Sequence, residues 1–164
     1  VPLMGEGTVI VTVGNEFRGD DGAGVMFGAL VRDAVPYTVI DGGDAPENAT
    51  SRIAAYRPDI VIVVDAMDFG GSPGDVMLAP CGELAGGGIS THGTPALFTE
   101  YLARATSASV YILGFQPVRT GFCEPMSPEV AGSVARTAEA LVKSRGSGDF
   151  LRAMRGIARE GEAP

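Results

Sequence analysis

The sequence predicts an α/β protein: a three-layer α/β/α sandwich around a five-stranded, mostly parallel sheet with one antiparallel strand. Three observations carry this reading. Short β-branched runs alternate with stretches of helical periodicity in the order βαβαβ-β-αβα. The runs TVIVTV (8–13) and DIVIVVD (59–65) are apolar almost without interruption, as strands covered on both faces are. Only nine residues, AMDFGGSPG, separate the third strand from the fourth, and a parallel crossover takes about a dozen or more. The fourth strand is therefore expected to run antiparallel.

Each element has a local reason. Strand 8–13 leads into the loop VGNEFRGDDGAG. A helix over 22–33 follows, with Val25, Met26, Ala29 and Leu30 expected on its inner face. YTVID (37–41) is a second strand closed by Gly42-Gly43, and a helix over 48–56 stops ahead of Pro58. The third strand spans 59–65 and the antiparallel fourth, DVMLA, spans 75–79. PCGELAGGGISTHG reads as a loop made flexible by Gly86-Gly87-Gly88. Thr94 and Pro95 open a helix as N-cap and first residue, with Leu97, Phe98, Tyr101 and Leu102 facing inward. SVYILGF (109–115) is the fifth strand. Ser127-Pro128-Glu129 opens a last helix whose buried stripe is Val130, Val134, Ala138, Leu141 and Val142, and Gly146 ends it. One domain covers 1–164, with its core in 8–146; the tail 147–164 is expected to add a short helix or to stay mobile.

Composition narrows the function. The chain has 164 residues, 45% hydrophobic and 20% charged, which suits a packed core rather than disorder. A net charge of -8 without any basic run argues against nucleic acid and against anionic membranes, and favours a cationic or metal-bearing partner. No apolar stretch reaches the roughly 18 residues of a membrane span. VPLMGEGTVIVTVG lacks the basic start of a signal peptide. Cys81 and Cys123 fit no metal or redox spacing and read as reduced thiols of a cytoplasmic protein. His92 is the one histidine, so any step that needs an imidazole must use it.

In open α/β sheets ligands bind beyond the carboxyl ends of the strands. Those ends carry Glu16, Asp20 and Asp21 after strand one, Asp41 after strand two, and Asp65 and Asp68 after strand three. His92 lies in the loop after strand four. With strands one and three adjacent, Asp21 and Asp65 would flank one crevice and His92 could reach it from the glycine-rich loop. Two carboxylates and an imidazole suit a divalent transition ion, nickel or zinc, with coordination positions left open. Singly, each has a plainer use: one of Asp20 and Asp21 as a helix cap, Asp65 as a turn former, His92 as a surface bystander. The conjunction on one sheet edge is what carries weight.

Other motifs are weaker. Gly22-Ala23-Gly24 with Gly28 imitates a dinucleotide fingerprint, but its glycines lie inside the helix, and two aspartates precede it where a pyrophosphate would bind. A Cys81–His92 nucleophile pair competes with the commoner buried structural thiol. A Ser-His-Asp triad lacks its G-x-S-x-G elbow.

The motifs, taken in order, resemble the hydrogenase maturation proteases, which trim the large subunit of nickel–iron hydrogenases. The matching pieces are Val13-Gly14-Asn15 through Asp20-Asp21-Gly22-Ala23-Gly24, Val39-Ile40-Asp41-Gly42-Gly43 with Ala45-Pro46-Glu47-Asn48, Arg57-Pro58, Val64-Asp65-Ala66-Met67-Asp68 and Pro73-Gly74-Asp75. Thr91-His92 with Pro95, Leu113-Gly114-Phe115-Gln116-Pro117, Gly121-Phe122 and Pro125-Met126 complete the set. DGGDAPEN and GFQP look closest to the branch serving the hydrogenase of formate hydrogenlyase. The resemblance implies a phosphorylase/hydrolase-like sandwich with one antiparallel strand, and metal-binding positions at Asp21, Asp65 and His92 that are also the catalytic set. Asn15, Asp20, Asp41, Gly42, Gly43, Asp68 and Gln116 are candidate substrate-binding or site-shaping positions. It implies that the metal is nickel already held by the precursor of the large subunit, though other divalent ions could occupy the site in vitro. Cleavage would remove a short C-terminal extension, and a monomer is the favoured state. The rival readings are a nickel-checking chaperone that does not cut, and a zinc hydrolase of small peptides.

Overall fold

The computed structural model describes residues 7–84 and 95–144. Five strands, β1 (Thr8–Val13), β2 (Thr38–Gly43), β3 (Ile60–Ala66), β4 (Val76–Pro80) and β5 (Ser109–Phe115), form one sheet in the order β2-β1-β3-β5-β4. β1, β2, β3 and β5 are parallel. β4 pairs antiparallel with β5, from Val76 opposite Phe115 to Pro80 opposite Tyr111, as its short connection requires.

The helices α1 (Ala23–Val31), α2 (Thr50–Ala55), α3 (Cys81–Leu84), α4 (Pro95–Thr106) and α5 (Pro128–Ser144) complete the described chain, with 3-10 turns at Gly19–Gly22 and Pro46–Ala49. Alternate strand residues serve opposite layers. Ile10, Ile60, Ile62, Val64, Leu113 and Phe115 meet Phe27 and Val31 of α1 and Val130, Val134, Ala138 and Leu141 of α5. Val9, Val11, Val61, Val63 and Val110 face the other way, against Ile53 of α2 and Phe98 and Leu102 of α4. Burial on both faces is why these strands show apolar runs instead of alternation.

Two helix faces differ from the sequence expectation. In α1 the buried residues are Ala23, Gly24, Phe27, Gly28 and Val31, while Val25 and Met26 are half-buried and Ala29 and Leu30 exposed. AGVMFGALV is apolar all round, so periodicity cannot select a face; close approach does. A Cβ on Gly24 would overlap the backbone oxygens of Val13 and Val64, and one on Gly28 would lie 2.8 Å from Thr12 Cγ2. The glycines that imitate a nucleotide loop therefore let the helix lie against the sheet. In α4, Phe98 and Leu102 are buried, but Leu97 and Tyr101 are 77% and 57% exposed. Successive residues turn about 100° around a helix, so Leu97 and Tyr101 point away from the stripe that meets the sheet.

α5 keeps its expected stripe, with Val142 partly buried, and the Val130 N–H donates to Ser127 Oγ at 3.4 Å in the N-cap arrangement. α3 is a short helix inside the segment read as a loop. Thr94, Gly86-Gly87-Gly88, Gly146 and the tail lie outside the described residues. No helix among the described residues is long and apolar enough to cross a membrane.

Candidate active site

The strand order fixes where a site can form. From β1 the chain winds outward to β2, then returns past β1 to β3 and on to β5. The winding thus reverses between β1 and β3, and the loops leaving their carboxyl ends diverge around a crevice. The first of these loops turns at Gly14, whose φ of +124° is open to glycine and whose α-carbon faces the Asp21 carbonyl so closely that no side chain could fit.

That turn brings the two aspartates of the loop into different roles. Asp20 is fully buried. Its carboxylate accepts from the backbone N–H groups of Val118 at 2.9 Å, Arg119 at 3.0 Å and Ser127 at 2.6 Å. Burial alone would raise its pKa, but these donors and the Ser127 hydroxyl outweigh it and hold the carboxyl below its ordinary value. Asp20 therefore fastens segment 118–127 to the first loop. Neither aspartate caps a helix through its side chain. Asp21 is only half-buried, and its Oδ2 accepts from Asn15 N–H at 2.9 Å.

Asp65 ends the buried part of β3 and is 6% exposed. Burial pushes its carboxyl well above the usual value, the negative charge of Asp21 pushes it further, and the Ala66 N–H opposes both. Asp21, on the loop after β1, is thus within electrostatic reach of Asp65 at the end of the adjacent β3. Two like charges, one of them buried, are a costly arrangement in the free fold and a favourable one around a cation.

Asp21 opens onto a cleft of about 500 Å3 lined also by Asn15, Arg18, Asp44, Ala66, Asp68, Pro117 and Thr120; the buried Asp65 carboxylate is not part of that lining, although its neighbour Ala66 is. The buried Gln116 holds the cleft residue Asp68. Its side-chain Oε1 accepts from the N–H groups of Phe69 and Gly71, both at 3.0 Å, so its amide Nε2 is the end that donates to Asp68 Oδ1 at 3.1 Å. Asn15 bridges the rim, donating to Asp44 Oδ2 at 3.1 Å and accepting from Phe17 N–H. Asp41 and Gly42 lie apart, in a smaller cleft with Ala45, Asn48, Ala49 and Arg52. There Asp41 closes its own turn by accepting from Gly43 N–H. His92 lies outside the described residues, and among those described no three His, Cys, Asp or Glu side chains converge to hold a metal ion. The described part of the expected triad is the Asp21–Asp65 pair.

Residues 30–144 match the sequence profile of the hydrogenase maturation proteases. The hydrogenase 3 maturation protease of Escherichia coli K12 is 33% identical over 147 residues, covering 88% of this chain and 94% of that protein. The chain belongs to the hydrogenase maturation protease family. The crystal structure of the NiFe hydrogenase maturation protease HycI from Thermococcus kodakarensis superposes with a TM-score of 0.75 at 33% identity, covering 83% of this chain and 90% of that one. The solution structure of the Escherichia coli endopeptidase HycI gives 0.74 at 34%, covering 87% and 94%. The fold class and the resemblance read from the motifs stand, and membership makes the chain a peptidase of hydrogenase maturation.

Cys81, the thiol that could pair with His92, is a poor candidate as a nucleophile. Burial, and then the charge of Glu100, raise the Cys81 pKa, which keeps the thiol protonated. Sequence reasoning passed over Arg18, Asp44 and Thr120 of the cleft. Arg18 carried a usable signal, as the one cation of an otherwise acidic loop.

Proposed function

We propose that the chain removes a C-terminal extension from the nickel-loaded precursor of a nickel–iron hydrogenase large subunit, in the cytoplasm. In this reading Asp21, Asp65 and His92 engage the precursor's own nickel. The observation that carries it is the Asp21–Asp65 pair. A buried carboxylate within electrostatic reach of a second one that lines an open cleft is suited to receive positive charge. A folded substrate that presents its metal supplies that charge and leaves coordination positions for the peptide. Held there, nickel would supply polarisation of the scissile carbonyl or of a water molecule, and Asp21 or Asp65 would take the proton as general base. The names and folds of the relatives support the maturation step; the acidic pair supports the cation.

The test is a purified precursor with and without nickel, with the large subunit weighed by mass spectrometry after mixing. A shorter subunit is expected only from the nickel-loaded form. Asp21→Asn preserves the fold and is expected to reduce the rate by at least about 100-fold, the scale of losing one charge-stabilising group. Trimming of the precursor at an unchanged rate by that variant would remove Asp21 from the site.

A further inference from the structure

The large apolar side chains left in water divide by place. Leu97 and Tyr101 lie on the face of α4 turned away from the sheet, and Leu30 and Tyr56 lie near the carboxyl ends of α1 and α2, the helix ends away from the carboxyl ends of the strands. Phe17, Val118 and Phe122 are 63%, 57% and 73% exposed and belong to the two segments that frame the cleft. Phe17 falls between the cleft residues Asn15 and Arg18, and Val118 between Pro117 and Thr120. The segments form one body. Cys123 N–H donates to the Phe17 carbonyl at 2.7 Å, Gly19 N–H to Glu124 at 3.0 Å and Asp20 N–H to Arg119 at 2.8 Å, with the Asp20 carboxylate fixing 118–127 from below. Aromatic side chains exposed on a hydrogen-bonded frame mark a contact surface, because little ordering remains to be lost on binding.

We infer that Phe17, Val118 and Phe122 form an apolar docking rim for the folded precursor, and that they grip bulky apolar side chains on the surface around its metal centre. The inference rests on the precursor reading above. Continuity with the cleft selects the occupant: whatever covers the rim also covers the cleft, so it must be the molecule that brings its reacting bond to Asp21 and Asp65. A second copy of this chain is the wrong partner. Each copy carries a net charge of -8, and pairing through the rim would set two acidic clefts against each other.

The test measures the affinity of the full chain for nickel-loaded precursor by calorimetry, for wild type, Phe17→Ser/Phe122→Ser and a Leu30→Ser/Tyr56→Ser control. Two lost aromatic anchors are expected to weaken binding about 100-fold, with the control within about 2-fold of wild type. If the rim double variant loses its cooperative melting, Val118→Ser carries the test, with a weakening of roughly 5-fold expected. Equal affinity for the rim variant and wild type overturns the inference, and so does a wild type that does not bind precursor. Mass analysis of the same mixtures reports separately on processing. A wild type that binds through the rim but leaves the precursor uncut would remove the processing reading and leave the docking rim standing.

Discussion

Asp20 and Asp65 are buried carboxylates near one cleft, and their environments act on them in opposite directions. Asp20 has donors for its charge, so its folded pKa lies below the unfolded value of 3.8. Its contribution to stability is present above that value and is lost as the pH falls through the folded pKa. Asp20→Asn trades an acceptor for a donor that faces backbone N–H groups, and is expected to cost on the order of 3 kcal/mol at neutral pH. Asp65 has the reverse sign. Its folded pKa is raised by burial and by Asp21, so its favourable contribution is complete below about 3.8 and disappears as pH rises through the folded value. Asp65→Asn keeps the acceptor that the Ala66 N–H uses and removes the charge. It is expected to raise the melting temperature at neutral pH by about 3 °C, to lose that gain in acid, and to abolish processing. Melting curves of both variants between pH 3 and pH 8 check the opposite slopes; a destabilised Asp65→Asn at neutral pH would contradict the electrostatic account of the site.

At the scale of elements, the contact between α1 and the sheet decides how closely the two first loops approach. Alanine is the better helix former by about 1 kcal/mol, yet Gly24→Ala would press a methyl group onto two backbone oxygens that cannot turn aside. A net destabilisation of about 3 kcal/mol is expected, seen as a lower urea midpoint at constant slope. Gly28→Ala should cost less, because the Thr12 methyl it meets belongs to a side chain that can rotate. This contact also shows what the sequence could and could not reveal. The mostly parallel sheet and the antiparallel β4 were legible because burial on both faces and a short connection leave few alternatives. The inner face of α1 was not, because a helix apolar on every side is oriented by backbone proximity. The same limit hid Asp20's role: DD reads as two equivalent acids until the fold buries one under segment 118–127, about a hundred residues further along the chain. The positions of Asp21 and Asp65 were legible because one follows and the other ends a strand beside the switch in winding.

On the scale of the whole molecule, the chain is an acidic body, with net charge -8, whose cleft concentrates carboxylates where the winding reverses. Such a surface suits the cation-bearing substrate proposed above and is expected to bind a free ion weakly. Burial and Asp21 disfavour the charged form of Asp65 that would hold a cation, and the chain has one histidine to add. In the proposed reading a metal seated in the precursor would offset this penalty, because docking of the two proteins would supply binding energy and cover the cleft. The two sources of nickel can therefore be told apart. The protease is treated with a strong chelator, desalted, and mixed with nickel-loaded precursor in parallel with untreated protease. Equal rates are expected, together with weak uptake of free nickel in equilibrium dialysis, at a dissociation constant above about 10 μM. A chelated protease that recovers only when nickel is returned to it would show that the ion is the enzyme's own, and would overturn the division in which the precursor carries the metal and this chain reads it.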